Sequence, residues 1–217
     1  MHQRHPRGHQ EREAALAQYR HRAEHYDMEV APFEPIRAQA IAALDLHAGA
    51  TVLDVGCGTG LSFAPLHERI GPRGRIVGIE LSPDMLVKAR DRVALHGWRH
   101  VELVCAPAAD AVIRGSADAA LFHLTHDILR DDAAIANVLA HLKPGAHVVA
   151  CGLCWAPVWN WPTNAFVAAA ALYSVSSLEG LDRSWDKLMA HLRDVKLQSA
   201  LMGGMFIASG VYAPQVH

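Results

Sequence analysis

Residues 52–60 read VLDVGCGTG, a short apolar run that ends in three glycines placed at every second position. A buried strand that runs into a glycine loop and then a helix lets the backbone turn sharply and approach a ligand without an intervening Cβ atom. The apolar positions of residues 61–70 supply that helix. This stretch therefore predicts the first strand, loop and helix of a ligand-binding α/β domain.

Strands and helices alternate along the rest of the chain. The predicted strands cover residues 51–55, 75–79, 101–105, 117–122 and 146–152, and the predicted helices between them cover 61–70, 83–96 and 133–142. Because these strands are apolar on both faces, they are typical of a parallel sheet covered by helices on both sides. Two last strands, 195–202 and 205–212, are separated only by Gly203 and Gly204, which predicts an antiparallel hairpin with a two-residue turn.

Composition excludes several classes of protein. The 217 residues are 51% hydrophobic, which is enough for one sizeable core, and a formal charge of -2 gives no basic surface for nucleic acid. The longest apolar run, residues 165–173, is far shorter than the roughly 20 residues that cross a bilayer, so no integral membrane segment is expected. Four cysteines favour a reducing cytoplasm over a disulfide scaffold. The fifteen histidines share no ligand spacing, so no metal is expected.

Glu80 ends the second predicted strand, twenty residues after Gly60. A carboxylate at that place can accept hydrogen bonds from both hydroxyls of a ribose, which indicates an adenosine-type ligand. The glycine spacing is G-x-G-x-G and residue 61 is Leu, whereas dinucleotide sites usually have G-x-G-x-x-G. A nicotinamide-dependent oxidoreductase therefore stays an alternative, although the spacing argues against it.

The stretch 52–60 closely resembles the first motif of class I S-adenosylmethionine-dependent methyltransferases, and residues 79–86, IELSPDML, resemble their second motif. The family has five parallel strands followed by a terminal hairpin. The resemblance implies an α/β fold with a doubly wound, mostly parallel seven-stranded sheet, a C-terminal antiparallel hairpin, N-terminal helices and a helical cap insertion. It also implies an enzyme that uses S-adenosyl-L-methionine; a cofactor-binding protein without turnover is a further alternative.

This resemblance divides the single domain into four segments. Residues 1–48 would form an N-terminal helical cap, 49–152 the cofactor-binding core, 153–194 a substrate cap and 195–217 the hairpin. The cofactor contacts that it implies are Tyr19, Tyr26, Asp54, Gly56, Cys57, Gly58, Gly60, Glu80, Leu81, Met85, Pro107, Ala108 and His123.

One position departs from the family pattern. After the third strand the family commonly has an acid that reads the adenine amino group, but this chain has Ala106, Pro107 and Ala108 there. The nearest acid is Asp110. Either Asp110 reaches back or backbone groups make this contact.

The fourth predicted strand ends in residues 121–127, LFHLTHD. His123 is expected nearest the amino-acid end of the cofactor, and His126, with Asp127 beside it, is the better placed general base. A base is needed only if the acceptor arrives protonated. The alternative for His126 is a structural contact with the backbone at the start of a helix.

The aromatic residues of the substrate cap indicate the chemical class of the methyl acceptor. Trp155, Trp159, Trp161 and Tyr173 are expected to line a pocket for a small molecule with an N, O or C nucleophile and an aromatic, apolar or lipid-like part. Ordinary core packing is the alternative. Cys151 and Cys154 are interpreted as buried thiols, and the oligomeric state stays open, with a homodimer as the state to test.

Overall fold

The computed structural model of the protein describes residues 26–174 and 181–214. Its strands are β1 (Thr51–Val55), β2 (Arg75–Glu80), β3 (Val101–Cys105), β4 (Ala117–His123), β5 (Leu142–Leu153), β6 (Leu192–Ala200) and β7 (Met205–Tyr212). They form one sheet in the order β3-β2-β1-β4-β5-β7-β6, in which β1 to β5 are parallel and β7 is antiparallel to both neighbours. The predicted fold class is confirmed.

The helices of the described part precede β1 or lie between the strands. The α-helices of the described part are α1 (Tyr26–Val30), α2 (Glu34–Ala42), α3 (Phe63–Ile70), α4 (Pro83–His96), α5 (His126–Arg130), α6 (Asp132–Ala140), α7 (Trp161–Ser174) and α8 (Asp186–Met189). Short 3-10 helices cover Ala31–Phe33 and Leu201–Gly203. Among these residues no helix is long and apolar enough to cross a membrane.

Local signals set the ends of α4. Ser82 precedes it in an extended conformation, and its hydroxyl oxygen accepts a hydrogen bond from the backbone N–H of Met85 at 3.4 Å. Pro83 takes the first helical position, where its missing N–H costs nothing, and Gly97 ends the helix in the left-handed conformation, with φ of 65°. The sequence predicts Ser82 as the cap, Pro83 at the first position and Gly97 at the end of a helix over residues 83–96, and the structure confirms all of these.

Both faces of the central sheet are buried. Alternate residues of its strands belong to two separate hydrophobic cores, one on each face. Val52 of β1 and Leu121 of β4 pack against α2 and α3 on one face. Leu53 and Phe122 pack against α6 on the other face. Side chains of a strand alternate between faces, so Asp54 points to the same side as Val52, toward α2.

Several boundaries differ from the prediction. The sequence predicts a helix that begins near Glu34 and Pro35 and stops at Ala48 and Gly49, but α2 stops at Ala42. Strand β5 begins at Leu142, so Pro144 and Gly145 lie inside the strand beside an irregularity in its pairing with β4. The link between β6 and β7 is longer than the predicted Gly-Gly turn. Leu201 and Met202 take positive φ values of 49° and 52°, whereas Gly204 has φ of -81°.

Candidate functional site

The glycine loop follows β1 at the carboxyl edge of the sheet. The backbone N–H groups of Gly56 and Cys57 both donate to the carbonyl oxygen of Ile79 on β2, at 2.8 and 3.0 Å. Gly56, Gly58 and Gly60 have φ values of 73°, 55° and 78°. A Cβ atom on Gly56 would lie 2.4 Å from Cγ2 of Thr125. Only glycine fits this turn, both for its backbone conformation and for the space around it.

Glu80 lies at the end of β2 with its side chain folded over the glycine loop. Its Oε2 accepts a hydrogen bond from the N–H of Gly58 at 3.0 Å, and its Oε1 accepts one from the N–H of Ser82 at 2.8 Å. Burial raises the pKa of this carboxyl, while the backbone N–H groups of Ser82 and Gly58 act to lower it. The predicted acid and the predicted loop therefore lie in direct contact.

Two further predicted residues hold polar atoms without partners. Oδ2 of Asp54 and Nε2 of His123 are buried and make no hydrogen bond. Burial raises the pKa of Asp54 to about 7 and lowers that of His123 to about 3. Buried polar atoms are almost always hydrogen-bonded in a finished structure. The edge of the sheet beside the glycine loop thus has unused hydrogen-bonding capacity, which fits a polar ligand such as the amino-acid part of S-adenosylmethionine.

Sequence reasoning missed Arg37. This arginine of α2 is only 3% exposed, forms an ion pair with Glu34, and leaves its Nε without a partner. Its charge acts to lower the pKa values of both Asp54 and His123. A signal was available, since Ala40 and Ile41 lie three and four residues further along the helix and are buried on the same face.

His126 begins α5 and is buried against β5. Its Nε2 lies 2.9 Å from the carbonyl oxygen of Leu153, to which it can donate a hydrogen bond. A Cβ atom on Gly152 would lie 2.7 Å from the imidazole ring, so the glycine makes room for it. Burial lowers the pKa of His126. If Nε2 donates to Leu153, Nδ1 is the nitrogen left to accept a proton.

The segment after β3 carries the departure noted in the sequence. Ala108 is buried, and its carbonyl oxygen accepts a hydrogen bond from the side-chain amide of Asn137 at 2.8 Å. The N–H of Asp110 donates to the carbonyl oxygen of Pro107 at 2.9 Å, and the Asp110 residue is exposed. On the other side of Glu80, Met85 is buried at the start of α4.

The segment before α7 and the link between β6 and β7 line an open groove with a volume of about 530 Å³. It is lined by Pro157, Trp159, Asn160, Ser199, Ala200, Leu201, Met202 and Gly203. Of the predicted substrate residues whose side chains the structure describes, only Trp159 is in this lining. Trp155 and Trp161 are 38% and 73% exposed and lie outside it.

Some predicted residues fall outside what the structure describes. Tyr19 lies outside the described residues, and so do the side chains of Tyr26 and Tyr173. Within the described ranges, no three potential metal ligands come together. Cys151 and Cys154 are buried free thiols, and burial raises the pKa of Cys154 to about 11.

Comparison with known proteins finds a matching domain family for part of the chain. Residues 52–145 match the family described as a methyltransferase domain. The chain is 32% identical over 111 residues to the nocamycin O-methyltransferase of Saccharothrix syringae, a match that covers 51% of this chain and 40% of that protein. The chain thus spans about two fifths of the length of this curated relative.

Solved structures share the fold. The complex of DhpI with S-adenosylhomocysteine has a TM-score of 0.66 at 21% identity, over 95% of this chain and 99% of that one. The [4+2]-cyclase SpnF has a TM-score of 0.61 at 19% identity, over 83% and 81% of the two chains. The glycine loop and Glu80 both lie inside residues 52–145, which match a methyltransferase domain, and the described chain has the fold of these solved structures.

Proposed function

We propose that this protein transfers a methyl group from S-adenosylmethionine to a small-molecule acceptor. The observation that carries the proposal is the contact between the Glu80 carboxylate and the Gly58 backbone, within a domain that matches the methyltransferase family. Bound S-adenosylmethionine would supply an already activated methyl group on its sulfonium. The family match favours this activity over a nicotinamide-dependent oxidoreductase, as does the missing third glycine of the dinucleotide pattern.

The proposed cofactor contacts follow the sheet edge. Glu80 would accept hydrogen bonds from the ribose hydroxyls in place of its present backbone donors, and Leu81 and Met85 would flank the adenine. The backbone of the glycine loop would approach the methionine part. The remaining proposed contacts are Asp54, Pro107, Ala108, His123 and the N-terminal Tyr19 and Tyr26.

The residues of this chain would align the acceptor with the methyl group and exclude water from the site. A methyl transfer to an aligned nucleophile needs correct geometry and exclusion of water. Both His123 and His126 are buried, and burial lowers the pKa of each, so both are neutral at pH 7. A neutral His126 whose Nε2 donates to Leu153 could take a proton at Nδ1 from an N, O or C nucleophile.

The acceptor is proposed to have an aromatic, apolar or lipid-like part. Trp159 and Met202 are 78% and 79% exposed in the lining of the groove, and exposed apolar side chains that share a groove are typical of a ligand-binding surface. An aromatic wall recognises a ring or an acyl chain. A formal charge of -2 favours a small molecule over nucleic acid. A cytoplasmic location fits the free thiols, and a homodimer is the oligomeric state to test.

Calorimetric titration with S-adenosylhomocysteine tests the cofactor proposal. We expect micromolar binding that weakens about 30-fold or more in Glu80→Ala, because a charged acceptor is removed from two hydroxyl donors. Glu102→Ala, which removes an exposed carboxylate from neighbouring β3, should bind as the wild type does. No heat of binding with the wild type would overturn the proposal.

Turnover is tested by incubating the protein with S-adenosylmethionine and a panel of aromatic and acyl acceptors, and following the mass gain of one methylene group. In His126→Ala the rate should fall more than the affinity for S-adenosylhomocysteine. Cofactor binding without any methylated product would favour a binding protein or another reaction, since a cyclase also has this fold.

A further inference from the structure

Two histidines meet at the amino edge of the sheet, opposite the glycine loop. His67 lies in the last turn of α3, and His100 immediately precedes β3. Nδ1 of His67 is 3.0 Å from Nε2 of His100, and the two ring centroids are 4.9 Å apart. The spacing of histidines in the sequence does not predict this pair, because 33 positions separate its members and only the fold brings them together.

The backbone of each histidine is fixed by a hydrogen bond of its own. The carbonyl oxygen of His67 accepts from the N–H of Gly71 at 2.8 Å, where α3 ends. The carbonyl oxygen of His100 accepts from the N–H of Ile76 on β2 at 3.0 Å. Both side chains therefore start from positions that the fold sets, which is what a preorganised binding site requires.

Trp98 supports the pair from one side. Its ring centroid is 5.7 Å from that of His67, and it stacks on His96 at 4.3 Å with the ring planes 9° apart. Trp98 is buried, whereas His67 and His100 are half-buried. The two imidazole rings are thus held by packing and remain within reach of ions in solution.

The separation of the two nitrogens suits a shared metal ion. Imidazole nitrogens that bind one zinc ion at about 2.0–2.1 Å, with an angle of about 90–110° between them, lie about 2.9–3.4 Å apart. The observed 3.0 Å is within this range. Binding requires both facing nitrogens to be unprotonated, so the ring that donates in the present hydrogen bond takes its other tautomer, with the proton on its far nitrogen.

The surroundings favour a neutral ring at His100 and a cation beside it. Burial and the neighbouring His67 lower the pKa of His100, so its imidazole is neutral at pH 7 and keeps a lone pair for a ligand bond. His67 lies at the carbonyl end of α3, where the helix dipole stabilises positive charge.

We propose that His67 and His100 form a two-histidine site for a divalent transition-metal ion of the zinc, nickel or copper class. Imidazole ligands suit these ions, whereas magnesium and calcium prefer oxygen. Because no three potential ligands come together in the part of the chain that the structure describes, water would complete the coordination. The ion would link α3 to the start of β3 and stabilise the fold, independently of the proposed methyl transfer.

Titration of the metal-stripped full chain with Ni²⁺ tests the site. His67→Asn and His100→Gln each keep a hydrogen-bonding side chain but lose the imidazole ligand. Other histidines can also bind Ni²⁺, so the quantity to compare is the number of ions bound: each variant should lose one equivalent, or bind it at least about 10-fold more weakly. His96→Gln is the matched control, since this exposed neighbour stacks on Trp98 outside the pair, and it should bind as the wild type does.

Thermal unfolding gives a second measurement. At about 100 times the dissociation constant, Ni²⁺ should raise the unfolding midpoint of the wild type by about 5–10 °C, and Mg²⁺ at the same concentration should not. Either pair variant should lose this shift. Since loss of one ligand breaks the chelate, one variant that folds is sufficient.

Fluorescence locates the ion. Cu²⁺ bound by the pair lies close to Trp98 and should quench its emission, so the quenched fraction should fall in His67→Asn and in Trp98→Phe. Equal numbers of bound Ni²⁺ in the wild type and both pair variants would overturn the proposal. So would an equal rise of the midpoint with Mg²⁺ and Ni²⁺.

Discussion

Gly56 shows how a single residue joins the glycine loop to the strand-end segment after β4. Its φ of 73° is favourable only for glycine, and the space that a Cβ atom would occupy is taken by the methyl group of Thr125. Gly49 also has a positive φ, 85°, but nothing lies within 4 Å of where its Cβ would be. Substitution of Gly49 would therefore cause backbone strain alone, whereas substitution of Gly56 would cause both backbone strain and a steric clash.

Gly56→Ala should abolish binding of S-adenosylhomocysteine, because the loop must shift to relieve the contact with Thr125. Gly49→Ala should lose about 1 kcal/mol of unfolding free energy from strain and keep the affinity of the wild type. Calorimetry and thermal unfolding of both variants measure the difference. Wild-type affinity in Gly56→Ala would contradict this prediction and show that the loop can shift away from Thr125 without losing the binding site.

At the scale of elements, α1 is attached to the glycine loop through one carboxylate. Oδ1 of Asp27 accepts from the hydroxyl of Thr59 at 2.5 Å, and Oδ2 accepts from Nη2 of Arg92 on α4 at 2.6 Å. Nε of Arg92 also donates to the carbonyl oxygen of Thr59 at 3.1 Å. The start of the described chain, the loop and α4 are therefore connected by one network.

Asp27→Ala should loosen this attachment. Amide hydrogen exchange at residues 26–33 should become faster, and S-adenosylhomocysteine should dissociate faster, while the global stability changes by less than about 1 kcal/mol because the carboxylate is half exposed. Glu102→Ala is the matched control, since it breaks an ion pair with Arg75 of similar exposure. Unchanged exchange at 26–33 would show that α1 is held by apolar packing alone.

At the scale of the whole molecule, burial of acids beside the site makes stability depend on pH. The pKa of Asp54 is about 7 in the fold against 3.8 normally, so the folded chain keeps a proton that the unfolded chain loses between these values. The contribution of Asp54 to stability is thus present below about pH 4 and is lost as pH rises toward 7. Lowered pKa values at His123 and His126 act in the opposite direction.

Asp54→Asn isolates this contribution because asparagine cannot ionise and the histidines are common to both proteins. The unfolding free energy of the variant relative to the wild type should rise by up to about 4 kcal/mol between pH 4 and pH 8. Denaturant unfolding at several pH values measures it. A difference that is independent of pH would show that Asp54 is already ionised in the fold at low pH.

Where signals are local, the sequence alone determined the structure. The bounds of β1 and β3, the caps of α4, and the place of Glu80 at the end of β2 follow from apolar patterning and from the backbone preferences of serine, proline and glycine. The turn between β6 and β7 was not determined in this way, because Leu201 and Met202 take the left-handed conformation that residue preferences assign to glycine.

Only the tertiary structure decided which distant residues meet. The sheet order brings β1 beside β4, and the packing of α2 across them sets Arg37 against Asp54 and His123. Contacts between distant residues also place Nε2 of His126 beside the carbonyl oxygen of Leu153 and put Trp159 in the groove wall. A local sequence pattern predicts the backbone conformation of a residue and the face of the helix or strand on which it lies. Contacts between helices and strands depend instead on how these elements pack on one another.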